Sequence, residues 1–167
     1  MVNLEKYCLA LMILTLFANT ALATDEKLSP GSSSEISEQD EYISVRKTLQ
    51  TCFTCHGDKG ASTIGMVPIL AGQEFYYMYV QLKDMKKGLR DSPVMSPIVA
   101  GIKKADLKLM AQYFSEQTWP KTDYSIGSKR AKAARLVLGA GQCTVCHLAT
   151  LKGNSRVPRL SNQHPEY

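Results

Sequence analysis

Two five-residue segments, Cys52-Phe53-Thr54-Cys55-His56 and Cys143-Thr144-Val145-Cys146-His147, repeat one pattern, C-x-x-C-H. The chain holds five cysteines and three histidines, and the two copies use all but Cys8 and His164. Two thiols three residues apart on one helical turn both reach the vinyl groups along one edge of a haem and form thioethers there. The next residue then puts an imidazole under the iron, and the pattern reads as c-type haem attachment. Two such motifs predict two covalently bound haem c, held by Cys52, Cys55, Cys143 and Cys146, with His56 and His147 as axial ligands. Two other readings compete. Paired C-x-x-C motifs can bind zinc, but here they lie 91 residues apart and each carries a histidine. A thioredoxin-like redox site needs a βαβ pattern beside the motif, whereas these flanks read as helical.

The N-terminus decides which compartment the thiols meet. Met1 to Tyr7 is short and polar with Lys6, Cys8 to Phe17 is apolar, and Ala21-Leu22-Ala23 is a small-x-small cleavage signal. Residues 1–23 are therefore expected to be a signal peptide cut after Ala23, which sends the chain to the periplasm and removes Cys8. Export alone would favour disulfides; the paired histidines are what turn the reading to haem. No apolar run reaches the ~18–20 residues of a membrane span. Residues 24–41, Ser-rich and acidic, are expected to be a mobile leader. At 44% hydrophobic and 21% charged, the chain has a globular balance that excludes a largely disordered one.

The motifs belong to a longer repeat. Pro68-x-Leu70-x-x-Gln73 with Tyr77 is matched by Pro158-x-Leu160-x-x-Gln163 with Tyr167. His56 precedes its proline by 12 residues and His147 by 11. One unit is thus used twice, and it reads as all-α. Ser34 or Ser37 is placed to cap a helix whose Tyr42, Val45 and Leu49 lead into Cys52. Phe75, Met78, Tyr79 and Leu82 recur at helical spacing up to Gly88. Asp106 is expected to open a helix with Leu107, Met110, Ala111 and Phe114 on one face. Trp119-Pro120 to Gly127 reads as a linker, and Ser128 to Leu138 as a basic helix into the second motif. The expected domains are 42–119 and 128–167, joined by 120–127.

An iron held by histidine on one face needs a ligand on the other, and a thioether there raises the potential and closes the site. Met78, Met85 and Met110 fall in helical stripes and are expected to be core, and Met66 lies ten residues past His56. Met95, in the Pro-flanked loop Asp91-Ser92-Pro93-Val94-Met95-Ser96-Pro97, is the expected ligand of the first haem. His164 is expected to be a surface histidine.

These residues resemble the dihaem class I cytochromes c of the cytochrome c4 type. Cys52/Cys55/His56, Pro68-x-Leu70-Ala71-Gly72-Gln73, Gly88-x-Arg90, Met95 and the Leu107 to Phe114 helix carry the resemblance, which covers 45–120 well and 128–167 partly. It implies two tandem cytochrome c-type haem domains. It also implies that the carbonyls of Pro68 and Pro158 accept a hydrogen bond from the proximal histidines, which fixes and tunes them. Leu148 departs from the pattern, standing where Gly57 follows His56. Met95 lies 27 residues after Pro68, and the same offset from Pro158 falls beyond Tyr167, so the second domain is expected to be incomplete.

Charge divides unevenly. Residues 24–120 carry 11 basic and 12 acidic side chains, residues 121–167 carry 8 and 2. A basic face suits an acidic protein or peripheral association with an anionic membrane; nucleic acid is not expected, since no aromatic stacking platform accompanies the lysines. The function these features predict is periplasmic carriage of single electrons between redox proteins: a membrane-bound oxidase or reductase, or a dehydrogenase whose cytochrome subunit the chain forms. The alternatives are a haem enzyme resembling dihaem peroxidases, or a ligand-binding module with an open second haem.

Overall fold

A computed structural model of the protein describes residues 41–122 and 124–167. The expected signal peptide, the leader up to residue 40 and the Ser34 or Ser37 cap lie outside the described residues. Those described are helical and contain no strand; a single antiparallel bridge pairs Asn154 with Val157. No helix among them is long and apolar enough to cross a membrane.

The first repeat opens with a 3-10 turn, Ile43–Val45, that runs into α1, Arg46–His56. α2 is Phe75–Lys86, α3 Met95–Ala100 and α4 Lys104–Glu116. In α4, Leu107, Met110, Ala111 and Phe114 are all buried, the i, i+3, i+4, i+7 stripe expected of a helix packed on one side. α4 begins at Lys104, two residues before the expected start. Asp106 lies in its first turn, where a carboxylate complements the positive end of the helix dipole.

Tyr42, Val45 and Leu49 join Met78, Met110, Ala111 and Phe114 in one core. Met78 and Met110 are therefore core methionines, whereas Met85, expected with them, is half-buried and outside this core, and Met66 is exposed. The Tyr42 hydroxyl donates to Glu116 Oε2 at 2.6 Å, tying the start of the repeat to its last helix. Burial, reinforced by the Glu116 carboxylate, raises the Tyr42 pKa and keeps that proton in place. Glu41 is tied in as well: its carboxylate accepts from Gln112 Nε2 at 3.0 Å.

α2 stops where the glycine predicts. Leu89 N–H bonds to Asp84 O at 2.8 Å and Gly88 N–H to Met85 O at 3.2 Å, with Gly88 at φ +69°. This is a Schellman closure, which requires a residue that enters the left-handed region freely. Gly72 has a different task. Its N–H bonds to Phe114 O at 2.8 Å, and a Cβ there would meet Gln117 O at 2.9 Å, so only glycine lets this loop lie against the end of α4.

The second repeat begins with α5, Ser128–Ala140, two residues longer than expected at its C-terminal end, and α6, Cys143–His147. Neither helix buries a residue; Leu136, Val137 and Val145 are exposed. Residues 148–167 form a loop that packs against the loop 61–74 of the first repeat through the bonds Ile69 to Gln163 and Gln73 to Arg159.

Candidate haem sites

α1 ends on the first motif. Cys52 and Cys55 stand one turn apart on it, with Cys52 half-buried and Cys55 exposed. The Cys52 thiol donates to Thr48 O at 3.3 Å. Burial pushes that thiol up to about 11, so at neutral pH it is protonated and slow to exchange with disulfides. All four cysteines of the two motifs are free. An open cavity of about 260 Å³ lies beside Cys52, walled by Thr48 and Thr51 of α1 and by Ile98 and Ile102 from α3 and its exit.

His56, the last residue of α1, is 6% exposed. Its Nδ1 lies 2.9 Å from Pro68 O. A carbonyl only accepts, so Nδ1 carries the proton and the lone pair of the neutral ring sits on Nε2. Burial lowers the His56 pKa, opposed by the Pro68 bond, and favours that neutral form. The second motif repeats the arrangement on α6: His147 Nδ1 lies 2.9 Å from Pro158 O. Both expected proline contacts are thus present.

The loops around the two histidines share a pair of backbone bonds. Leu70 and Ala71 donate to Gly60 O at 2.9 and 3.1 Å, and Leu160 and Ser161 donate to Leu151 O at 2.8 and 3.0 Å. The departure at Leu148 changes the residue but not the backbone: Gly57 has φ 75°, ψ 171° and Leu148 φ 65°, ψ 164°. The chain must turn away from each histidine in the same way, whatever side chain it carries.

Met95 corrects an expectation. It is not in a loop but is the first residue of α3, half-buried, with its N–H donating to Ser92 Oγ at 3.2 Å. Pro97 fits within that first turn because its missing N–H has no partner there to lose. α3 also lines the cavity beside Cys52, through Ile98. His164 is a second correction. It is half-buried, and its Nε2 donates to Ser62 O at 2.9 Å, so it is an inter-repeat contact and not a free surface histidine.

Between the repeats lies a set of bonds that local sequence patterns do not announce. Gln73 Nε2 donates to Arg159 O at 3.0 Å, and Gln73 Oε1 accepts from Arg159 N–H at 2.7 Å. Gln163 Nε2 donates to Ile69 O at 3.0 Å, and Gln163 Oε1 accepts from Ile69 N–H at 2.9 Å. Glu74 accepts from Ser155 N–H at 2.9 Å. Arg90 donates to the Tyr167 hydroxyl at 3.1 Å, and the Arg159 guanidinium stacks 4.3 Å over Trp119. The one sequence signal for the glutamines is their place in both copies of the repeat.

The donor set fits a c-type haem. Each site offers two free thiols one turn apart and an imidazole whose Nδ1 proton is committed, leaving Nε2 as the donor. Among the described residues no group of three or more His, Cys, Asp or Glu side chains converges as a metal site, so the two motifs do not combine into the array that zinc would need.

No family model matches the chain. It is 34% identical over 138 residues to cytochrome c4 of Thiocapsa roseopersicina, an alignment covering 77% of this chain and 70% of that protein. It is 31% identical over 128 residues to cytochrome c-552 of Acidithiobacillus ferridurans, covering 70% and 56%. The thiosulfate dehydrogenase electron acceptor of Stutzerimonas stutzeri strain A1501 is 31% identical over 131 residues, covering 70% and 58%. The chain thus spans between 56% and 70% of the length of these relatives. In structure, reduced cytochrome c4 from Pseudomonas stutzeri superposes with a TM-score of 0.65 at 29% identity, over 72% of each chain.

Proposed function

The chain belongs to the cytochrome c4 family, and on that premise we propose that it is a dihaem carrier of single electrons between redox proteins. Haem c, once bound, supplies one-electron redox chemistry; the chain's own residues hold it and set its environment. Cys52 and Cys55 attach the first haem and Cys143 and Cys146 the second. His56 and His147 would offer Nε2 to the iron while Pro68 and Pro158 hold the rings. Met95, carried on α3, would supply a thioether ligand to the first haem. The duplicated 2.9 Å histidine–proline bond at the end of a C-x-x-C-H helix carries this reading.

The proposed layout is a signal peptide over 1–23, a leader over 24–41, haem domains over 42–119 and 128–167, and a linker over 120–127. Export with cleavage after Ala23 puts the protein in the periplasm. A relative named as the electron acceptor of a thiosulfate dehydrogenase supports a dehydrogenase as donor, with an oxidase or reductase as acceptor. The basic balance of 121–167 favours acidic docking surfaces on such partners. A peroxidase-like activity needs an iron left open, which Met95 opposes at the first haem.

Reductive titration tests the carrier reading. The oxidised protein should take up two electrons per chain and pass both to an oxidised c-type acceptor. Sustained turnover of hydrogen peroxide would overturn it in favour of an enzyme.

A further inference from the structure

The two glutamine contacts between the repeats meet the two histidine–proline bonds in a specific way. Pro68 O and Ile69 N–H are the two ends of a single peptide group. The oxygen accepts from His56 and the N–H donates to Gln163. Pro158 O and Arg159 N–H are likewise one peptide group, whose oxygen accepts from His147 and whose N–H donates to Gln73. Each proximal histidine is therefore in series, through one peptide, with a glutamine of the other repeat.

Both glutamines are held tightly enough to act in this way. Gln73 is 5% exposed and Ile69 1%, so the first-repeat partners are out of water, where a hydrogen bond is electrostatically stronger. Each carboxamide fills three of its four bonding positions. Two go to the partner backbone, and the oxygen also accepts the N–H of the next residue, Glu74 at 2.9 Å or His164 at 3.0 Å. The carboxamides are thus fixed in orientation from their own side.

We propose that Gln163 and Gln73 are crossed positioning residues: Gln163 tunes the imidazole of His56, and Gln73 that of His147. The inference rests on the reading of both motifs as haem sites. An acceptor on a peptide N–H polarises that peptide and makes its carbonyl a stronger acceptor. The stronger carbonyl draws the Nδ1 proton and raises the basicity of Nε2. A more basic ligand favours the oxidised iron, so each glutamine lowers the potential of the haem in the other repeat. Docking of the repeats and the poise of the two haems are then linked, because the glutamine bonds that help join the repeats also set the ligands.

The test uses the haem-loaded protein, with each haem's potential resolved by its own paramagnetically shifted NMR signals. Gln163→Leu should raise the first haem's potential by at least about threefold in its reduction equilibrium constant, which is ~28 mV at 59 mV per tenfold. It should also move the His56 Nδ1–H resonance while leaving that of His147 in place. Gln73→Leu should do the reverse. Gln163→Met, closer in length, carries the measurement if the leucine variant loses a haem, and Gln163→Glu, which restores the acceptor, should return the His56 resonance towards its original position. His164→Ala, which cuts the contact to Ser62 but not the glutamine bonds, should show no crossed shift. A protein with two haems whose potentials and Nδ1–H signals ignore these substitutions, or respond in the glutamine's own repeat, overturns the proposal. Loss of haem from the wild-type motifs, read by intact mass, would instead overturn the reading beneath it.

Discussion

A leucine at position 148 sits at φ 65°, ψ 164°, a region that is essentially reserved for glycine and costs other residues about 1–3 kcal/mol. Gly57 takes the same conformation in the first repeat without that cost. Leu148→Gly should therefore stabilise the second repeat by about 1 kcal/mol, the strain relief exceeding the ~0.5–1 kcal/mol of extra chain entropy that glycine loses. The reverse change should be worse than its mirror suggests. A Cβ on Gly57 would stand 2.7 Å from Ala61 O, so Gly57→Leu should cost more than about 2 kcal/mol. Guanidinium unfolding, followed by signals of each haem, checks both signs. Met95 carries the second prediction at this scale. Met95→His should keep a low-spin first haem and lower its potential, since a thioether favours reduced iron more than an imidazole does. An unchanged potentiometric titration of that haem would remove Met95 from the site.

Among the elements, α4 contributes more buried residues to the first repeat than any other helix. Phe114 is 3% exposed and packs edge-on against Phe53 at 6.1 Å and Tyr113 at 5.4 Å. Phe114→Ala should cost about 3–5 kcal/mol, measured as a lowered denaturation midpoint, with both haems still attached. This helix is legible in the sequence because its burial keeps to the local 3.6-residue period; only its start differs, by two residues, since Asp106 serves the first turn and does not cap it. α2 and its glycine stop are legible for the same reason, as is the pairing of each histidine with a proline, through the family pattern. Pro93 and Pro97 look like breakers and so suggest a loop at Met95, yet a proline in the first turn of a helix breaks nothing. The contacts of Gln73, Gln163 and His164 join residues 86, 94 and 102 positions apart. No local periodicity reports such pairs. The repeat shows that both glutamines matter, but a repeat compares copies and is silent on whether one copy touches the other.

At the scale of the whole molecule, charge and cofactor content set what the protein can do. Eight basic against two acidic residues in 121–167 give that half a positive field, and α5 shows its Lys129, Arg130, Lys132 and Arg135 to solvent. Electron exchange with an acidic redox protein should be steered by that field and screened by salt. Stopped-flow rates are expected to fall at least about tenfold from low to high ionic strength, and a rate indifferent to salt would place docking elsewhere. Beneath this lies the claim that two matched sites, each a C-x-x-C-H helix end with its histidine held by a proline carbonyl, make a dihaem protein. Intact mass of the exported protein under denaturing conditions tests that claim most directly. The account predicts the polypeptide plus two covalently bound haems, and one haem fewer when either Cys52 and Cys55 or Cys143 and Cys146 are replaced by alanine. A mature polypeptide carrying no haem, or a haem count unchanged by either double replacement, would contradict it.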